Sequence, residues 1–202
     1  MASDFHTHNQ SPALRALISS KTTIPDKLTS FEFHPWNLPQ KFDQNLIPAE
    51  IALTDFSAIG EIGLDKIRGP NIEIQQLYLA KMLALAADLH KPAVIHCVKA
   101  FDELFAILKR FPVKIMFHGF CSSPQMLEEL WKRKITVSFR PRMVNNEILM
   151  SQLHSAKGSF GFESDDDLTT DVRILLKTAE INSKVKNLEK VTDQNFSDFL
   201  EI

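Results

Sequence analysis

Ala93-Val94-Ile95-His96-Cys97 and Lys114-Ile115-Met116-Phe117-His118 are the two runs whose reading decides the fold. Each is short and apolar, each reaches a histidine at its C-terminal end, and each is preceded by a helical pattern. From Asn71 to His90 the apolar positions Ile72, Leu77, Leu79, Ala80, Leu83, Leu85, Ala86 and Leu89 recur at steps of three and four, until Lys91-Pro92 stops them. Phe101 to Arg110 predicts a second helix, closed by Pro112. Strands separated by helices that carry the chain back pair in parallel, so the class is α/β.

The same grammar extends in both directions. Downstream come a helix from Pro124 to Lys132 capped by Ser122 or Ser123, a strand from Lys134 to Phe139 and a helix from Asn146 to His154. A strand over Ser159 to Glu163 follows, then helices from Asp171 to Glu180 and Asn187 to Leu200. Upstream, Ala58-Ile59-Gly60-Glu61 reads as a strand ending where two glycines bracket an acid and let the chain turn. Leu46 to Phe56 predicts a helix with an Ile51, Leu53 and Phe56 stripe, Ser30 to His34 a strand ended by Pro35, and Leu14 to Ile18 another. Ser3 to Asn9 is the first strand, and its two histidines at i and i+2 share one face. Eight strands predict a (β/α)8 TIM-type barrel. Such barrels run to ~250 residues, so a 202-residue version must be compact, with reduced or missing early helices between His8 and His34.

Composition narrows the function. A chain of 202 residues with 44% hydrophobic and 24% charged content suits one soluble domain over 1–202, and no apolar run is long enough to span a membrane. Met1-Ala2-Ser3-Asp4 lacks the basic and apolar start of a secretory signal, and two distant cysteines, Cys97 and Cys121, fit a reducing compartment; the expected location is the cytoplasm. A net charge of −2 argues against broad electrostatic binding of nucleic acid, yet leaves room for a metal-centred nuclease whose ions supply the positive charge.

The strand ends carry the chemistry. His6, His8, Glu61, His96 and His118 lie at strand ends and Asp165 follows the last, and the C-terminal strand ends of a barrel meet at one mouth. Four imidazoles and two carboxylates suit one or two divalent ions of zinc, manganese or magnesium type, and six ligands exceed one tetrahedral site. Glu61 can offer one oxygen to each of two ions, and two such ions activate a shared water for hydrolysis. His90 and His154 belong to helix ends and solvent, and Asp165, Asp166 and Asp167 form an acidic run from which at least one should face the site.

These residues resemble the TatD family of metal-dependent hydrolases, within the amidohydrolase-like barrels, and particularly its short bacterial members. The resemblance is carried by Asp4-Phe5-His6-Thr7-His8, Phe33-His34-Pro35-Trp36, Ala58 to Asp65, Val94-Ile95-His96-Cys97, Phe117-His118-Gly119-Phe120 and Phe162-Glu163-Ser164-Asp165, in the family's order. It implies that His6, His8, Glu61 and Asp165 hold one metal and Glu61, His96 and His118 the second, with Glu61 as the bridge. It also implies that Asp165 takes the proton of the attacking water, and that His34 and Lys99 contact substrate or phosphate. The substrate implied is a phosphoester, with DNA ends a candidate because several relatives are deoxyribonucleases. Glu32 stands where the family usually has glycine, and Lys99 is a point charge without arginine's fork. The readings set against a phosphoesterase are a small-molecule amide or ester hydrolase and a non-catalytic barrel that retains metal.

Overall fold

A computed structural model describes residues 2–156 and 158–202. Eight strands follow in chain order across the sheet: β1 (Ser3–Thr7), β2 (Arg15–Ser20), β3 (Leu28–Phe31), β4 (Ala58–Asp65), β5 (Ala93–Val98), β6 (Ile115–Phe120), β7 (Thr136–Phe139) and β8 (Phe160–Phe162). Six α-helices occur among the described residues: α1 (Ile72–Asp88), α2 (Phe101–Leu108), α3 (Pro124–Lys132), α4 (Glu147–Leu153), α5 (Val172–Ser183) and α6 (Leu188–Leu200). The sequential, parallel order is that of the expected (β/α)8 class. Among the described residues no α-helix precedes β4, which is how the chain saves length.

The chain divides into two compact units, Met1–Ile18 with Met116–Ile202, and Ser19–Ile115. In the first, β1 pairs with β2, and β7 with β6 and β8. Buried phenylalanines fill it: Phe5 meets Phe196 of α6 edge-on with ring centroids 5.2 Å apart, and Phe139 contacts Phe120 at 5.5 Å and Phe162 at 5.8 Å. In the second unit β4 pairs with β3 and β5, and α1 lays Tyr78, Leu79, Met82, Leu83 and Ala86 into the core. Asn71 caps α1 through its side-chain oxygen, which accepts from Ile74 N at 3.0 Å.

Three expectations change. Leu46 to Phe56 is not a helix but two short 3₁₀ turns, Gln44–Leu46 and Glu50–Leu53. Ile51 is 79% exposed while Leu53 and Phe56 are buried, and apolar residues two apart give a helix no continuous face to bury. The third strand stops at Phe31, and His34 instead caps the 3₁₀ turn Pro35–Asn37, its Nδ1 accepting from Trp36 N at 3.1 Å. The strand expected to end at Glu61 runs to Asp65, and its glycines serve a close approach of strands rather than a turn. A Cβ on Gly63 would lie 1.9 Å from the His96 carbonyl oxygen, and one on Gly60 2.5 Å from that of Val94.

Candidate metal centre

In the first unit the ligands come from β1 and from the chain just past β8. Asp165 N donates to His6 O (3.0 Å) and His8 N to Asp165 O (2.9 Å), so this short bridge sets the carboxylate beside both imidazoles. Asp165 takes a left-handed φ of 55°, which turns it out of strand geometry. Its Oδ1 lies 3.9 Å from His6 Nε2 and 3.8 Å from His8 Nε2. The His118 ring, from β6, sits 4.4 Å from that of His6 between centroids. Of the acidic run only Asp165 is buried, and Asp166 and Asp167 are exposed. Asp167 instead accepts from Thr169 and Thr170, which hold its carboxyl down at about 2.

Buried acids brace this cluster. Glu163, fully buried, approaches His118 Nδ1 at 3.5 Å. Burial pushes its carboxyl up, but the charge and hydrogen bonding of His118 outweigh it and hold it below its ordinary value. Asp4 accepts from Ser164 N (3.1 Å) and Ser164 Oγ (2.6 Å), tying β1 to the chain beyond β8, and burial pushes it up to about 7. Arg140, one residue past β7, donates to Asp165 Oδ2 at 2.9 Å, so the two oxygens of Asp165 serve different neighbours.

In the second unit Glu61 Oε1 accepts from His34 Nε2 at 3.0 Å and faces His96 Nδ1 at 2.8 Å. His96 Nε2 in turn faces Asp65 Oδ2 at 3.3 Å. An imidazole nitrogen pointed at a carboxylate needs a proton or a cation between them, and His96 has a carboxylate on each side. The Asp65 carboxyl also accepts from Trp36 Nε1 (2.5 Å), Ile67 N (2.7 Å) and Arg68 N (3.1 Å). Burial raises it, but those donors prevail and keep it below its usual value. Gln75 clamps the backbone of Asp65 on both sides, accepting from its N–H at 2.6 Å and donating to its carbonyl at 2.8 Å.

Both clusters fit a divalent ion. His6, His118 and Asp165 each offer a donor atom within 4.8 Å of the others, as do His34, Glu61 and His96, and every one of these residues is buried. Nitrogen and oxygen ligands sit ~2.0–2.2 Å from zinc, so two donors on one ion can stand no more than about 4.4 Å apart. The separations of His6 and His8 from Asp165 (3.9 and 3.8 Å) and of His34 and His96 from Glu61 (3.0 and 2.8 Å) fall inside that limit. Asp65 stands behind His96 and Glu163 behind His118, the position from which an outer carboxylate can orient a histidine that holds an ion.

Of the residues singled out in the sequence, His6, His8, His118 and Asp165 meet in the first unit, and Glu61, His96 and His34 in the second. His34, expected against substrate, touches Glu61 directly. Lys99 is exposed on the turn leaving β5, with φ 55°. Arg140 was not singled out, and no motif around Phe139-Arg140-Pro141 marks it; only the position of its guanidinium on Asp165 does. Asp65 stood inside a quoted motif without a role.

Known proteins resemble this chain in sequence and in fold. The chain is 35% identical over 81 residues to an uncharacterized metal-dependent hydrolase of Methanocaldococcus jannaschii, covering 40% of this chain and 32% of that protein. It is 38% identical over 76 residues to the 3'-5' ssDNA/RNA exonuclease TatD of Klebsiella pneumoniae, covering 36% of this chain and 29% of that one. The matched stretches thus span about a third of these relatives. The crystal structure of the TatD homologue YjjV from Escherichia coli superposes with a TM-score of 0.79 at 16% identity, covering 100% of this chain and 98% of the other, which shows a shared fold. The TatD related DNase family matches residues 5–165, and the chain therefore belongs to that family.

Proposed function

We propose that this protein is a divalent-metal-dependent hydrolase of phosphoester bonds, acting on nucleic-acid ends. The observation that carries the reading is the pair of buried histidine–carboxylate clusters with donor atoms at ion-binding separation. The substrate class is supported by the named nuclease activity of the Klebsiella relative, and 1–202 is proposed to act as one domain because the family match runs from residue 5 to 165. The proposed compartment is the cytoplasm, in keeping with two free thiols; among the described residues no helix is long and apolar enough to cross a membrane.

Following the family, His6, His8, Glu61 and Asp165 would hold one ion and Glu61, His96 and His118 the other, of zinc, manganese or magnesium type. Bound there, two ions would lower the pKa of a water and neutralise the phosphoryl oxygens. Asp165 is the proposed acceptor of that water's proton. Arg140 holds Asp165 Oδ2 and thereby fixes the direction in which Oδ1 points. Asp65 holds His96 by Nε2, which fixes its ring orientation and tautomer, and Glu163 sets a carboxylate 3.5 Å from His118 Nδ1. His34 stands against Glu61, where it can meet either ion or substrate phosphate, and Lys99 is the proposed outer phosphate contact.

The test is a phosphodiester assay on manganese-, magnesium- and zinc-loaded protein, paired with metal analysis. Glu61→Gln is expected to abolish turnover and weaken metal binding with the circular dichroism spectrum retained. Protein that binds metal yet cleaves neither phosphodiesters nor simple esters would overturn the reading.

A further inference from the structure

Trp36 stands out among the aromatic side chains: it is 44% exposed although its ring packs against two histidines of the second cluster. Its centroid lies 4.6 Å from that of His34 and 5.7 Å from that of His96, edge-on to both. An exposed indole normally moves freely, but this one is pinned by its N–H, which donates to Asp65 Oδ2. Arg68 lies over the ring with its guanidinium carbon 4.4 Å from the centroid. The backbone of that arginine is held: Asp65 Oδ1 accepts from Arg68 N, and Gln75 Nε2 donates to the carbonyls of Arg68 (3.1 Å) and Pro70 (2.8 Å). Gly69, at φ +85°, allows the loop to close on the Trp36 segment, since a Cβ there would lie 2.5 Å from the Pro35 carbonyl oxygen. One carboxylate, Asp65, thus orients the proposed ligand His96, the indole and the loop that carries the arginine.

We propose that Trp36 and Arg68 form a stacking platform for an unpaired nucleobase of the substrate, adjoining the cluster of His34, Glu61 and His96; this rests on the phosphoesterase reading above. The platform is planar, aromatic and cationic, with its indole pinned and the loop that carries its arginine fixed before any ligand arrives. Indole and guanidinium planes are the surfaces on which unstacked bases lie, and the positive charge suits the phosphate that every nucleotide carries. The base must be unpaired, because a base inside a duplex has both faces covered by its neighbours. A nucleotide whose phosphate is at the cluster would present its base to Trp36, which favours single-stranded ends over duplex interiors.

The test is equilibrium binding of the metal-loaded protein to a phosphorothioate-linked single strand that resists cleavage. It is run with an intact terminal nucleotide and with an abasic one. Stacking on an aromatic residue predicts that the base-bearing end binds roughly 5- to 150-fold more tightly. Trp36→Ala should bring that ratio close to one, Arg68→Ala should reduce it in part, and Trp36→Phe should retain most of it despite losing the indole N–H. Equal binding of the two ends by the wild type overturns the platform. So does a wild-type ratio in Trp36→Ala, or a Trp36→Phe variant as impaired as Trp36→Ala, which would show that the tryptophan acts only through Asp65. Phosphodiester turnover is read separately. Base-dependent binding without cleavage would support the platform and overturn the hydrolase reading, cleavage with a ratio of one would do the reverse, and no binding of either strand would overturn the platform.

Discussion

Asp65 illustrates how much one carboxylate organises. It faces His96 Nε2, accepts the Trp36 indole proton and terminates the loop of Ile67 and Arg68. Glu163 plays the equivalent part for His118. Neither is among the proposed ligands, so their loss should act through the histidines they orient. Asp65→Asn and Glu163→Gln are each expected to lower metal affinity 10- to 100-fold, read by competition with a chromophoric chelator. Unchanged affinity in both would mean that the histidines are held by packing alone. At this scale the sequence marked most of the residues that meet in the two clusters, because histidines and acids at apolar strand ends have few inexpensive explanations. It singled out Asp165 from Asp166 and Asp167 only through the Glu163-Ser164-Asp165 motif of the family resemblance, and the backbone bridge from residue 165 to Thr7 is the physical reason that this acid turns inward. It gave no sign of Arg140, whose role exists only because a carboxylate from elsewhere in the chain lies 2.9 Å away.

Elements formed where local signals agreed. α3 begins at Pro124 behind the Ser123 cap, as the sequence predicts, and α1 follows its apolar period. Replacing Asn71 by alanine should remove the cap of α1 and cost about 1 kcal/mol in urea unfolding. β8 is tied to its surroundings by the absence of a side chain at Gly161, where a Cβ would lie 2.1 Å from the buried Phe5 ring. Gly161→Ala should therefore destabilise by about 1–3 kcal/mol, and a smaller loss would show that Phe5 can move. α6 is anchored by Asp193, which accepts from Ser3 Oγ (2.7 Å) and pairs with Arg15 (3.4 Å). Partial burial raises the Asp193 carboxyl, yet the Ser3 hydroxyl and the Arg15 charge hold it below its ordinary value. A depressed folded value means that the stabilisation is present above about pH 4 and is lost as pH falls through the folded value. Asp193→Asn should accordingly cost about 1 kcal/mol at pH 7 and progressively less as pH falls below about 4, measured by denaturant unfolding across that range. The segment 46–56 went the other way: with only Leu53 and Phe56 buried, tertiary contacts selected tight turns over the expected helix.

Metal binding should be felt by the molecule as a whole. Ligands from distant parts of the chain are assembled only on folding, so the free energy of binding adds to that of folding. At metal concentrations near a hundred times Kd this amounts to about 2.7 kcal/mol for each ion, or a melting point roughly 5–10 °C higher per ion for a chain of this size. Stripping the ions with a chelator should lower the calorimetric midpoint by that amount for each ion removed, and re-addition should restore it; no shift would argue against a resident ion. By itself the sequence determined the α/β class, the strand count and the identities of the histidines and acids, because periodicity, glycine placement and breaks are local properties written in neighbouring residues. Tertiary structure alone decided that β4 continues past Glu61 to Asp65, that His34 turns onto Glu61, that Asp165 bridges back to Thr7 and that Arg140 meets it. Each of those outcomes depends on the approach of groups far apart in sequence, and no local pattern encodes such a distance.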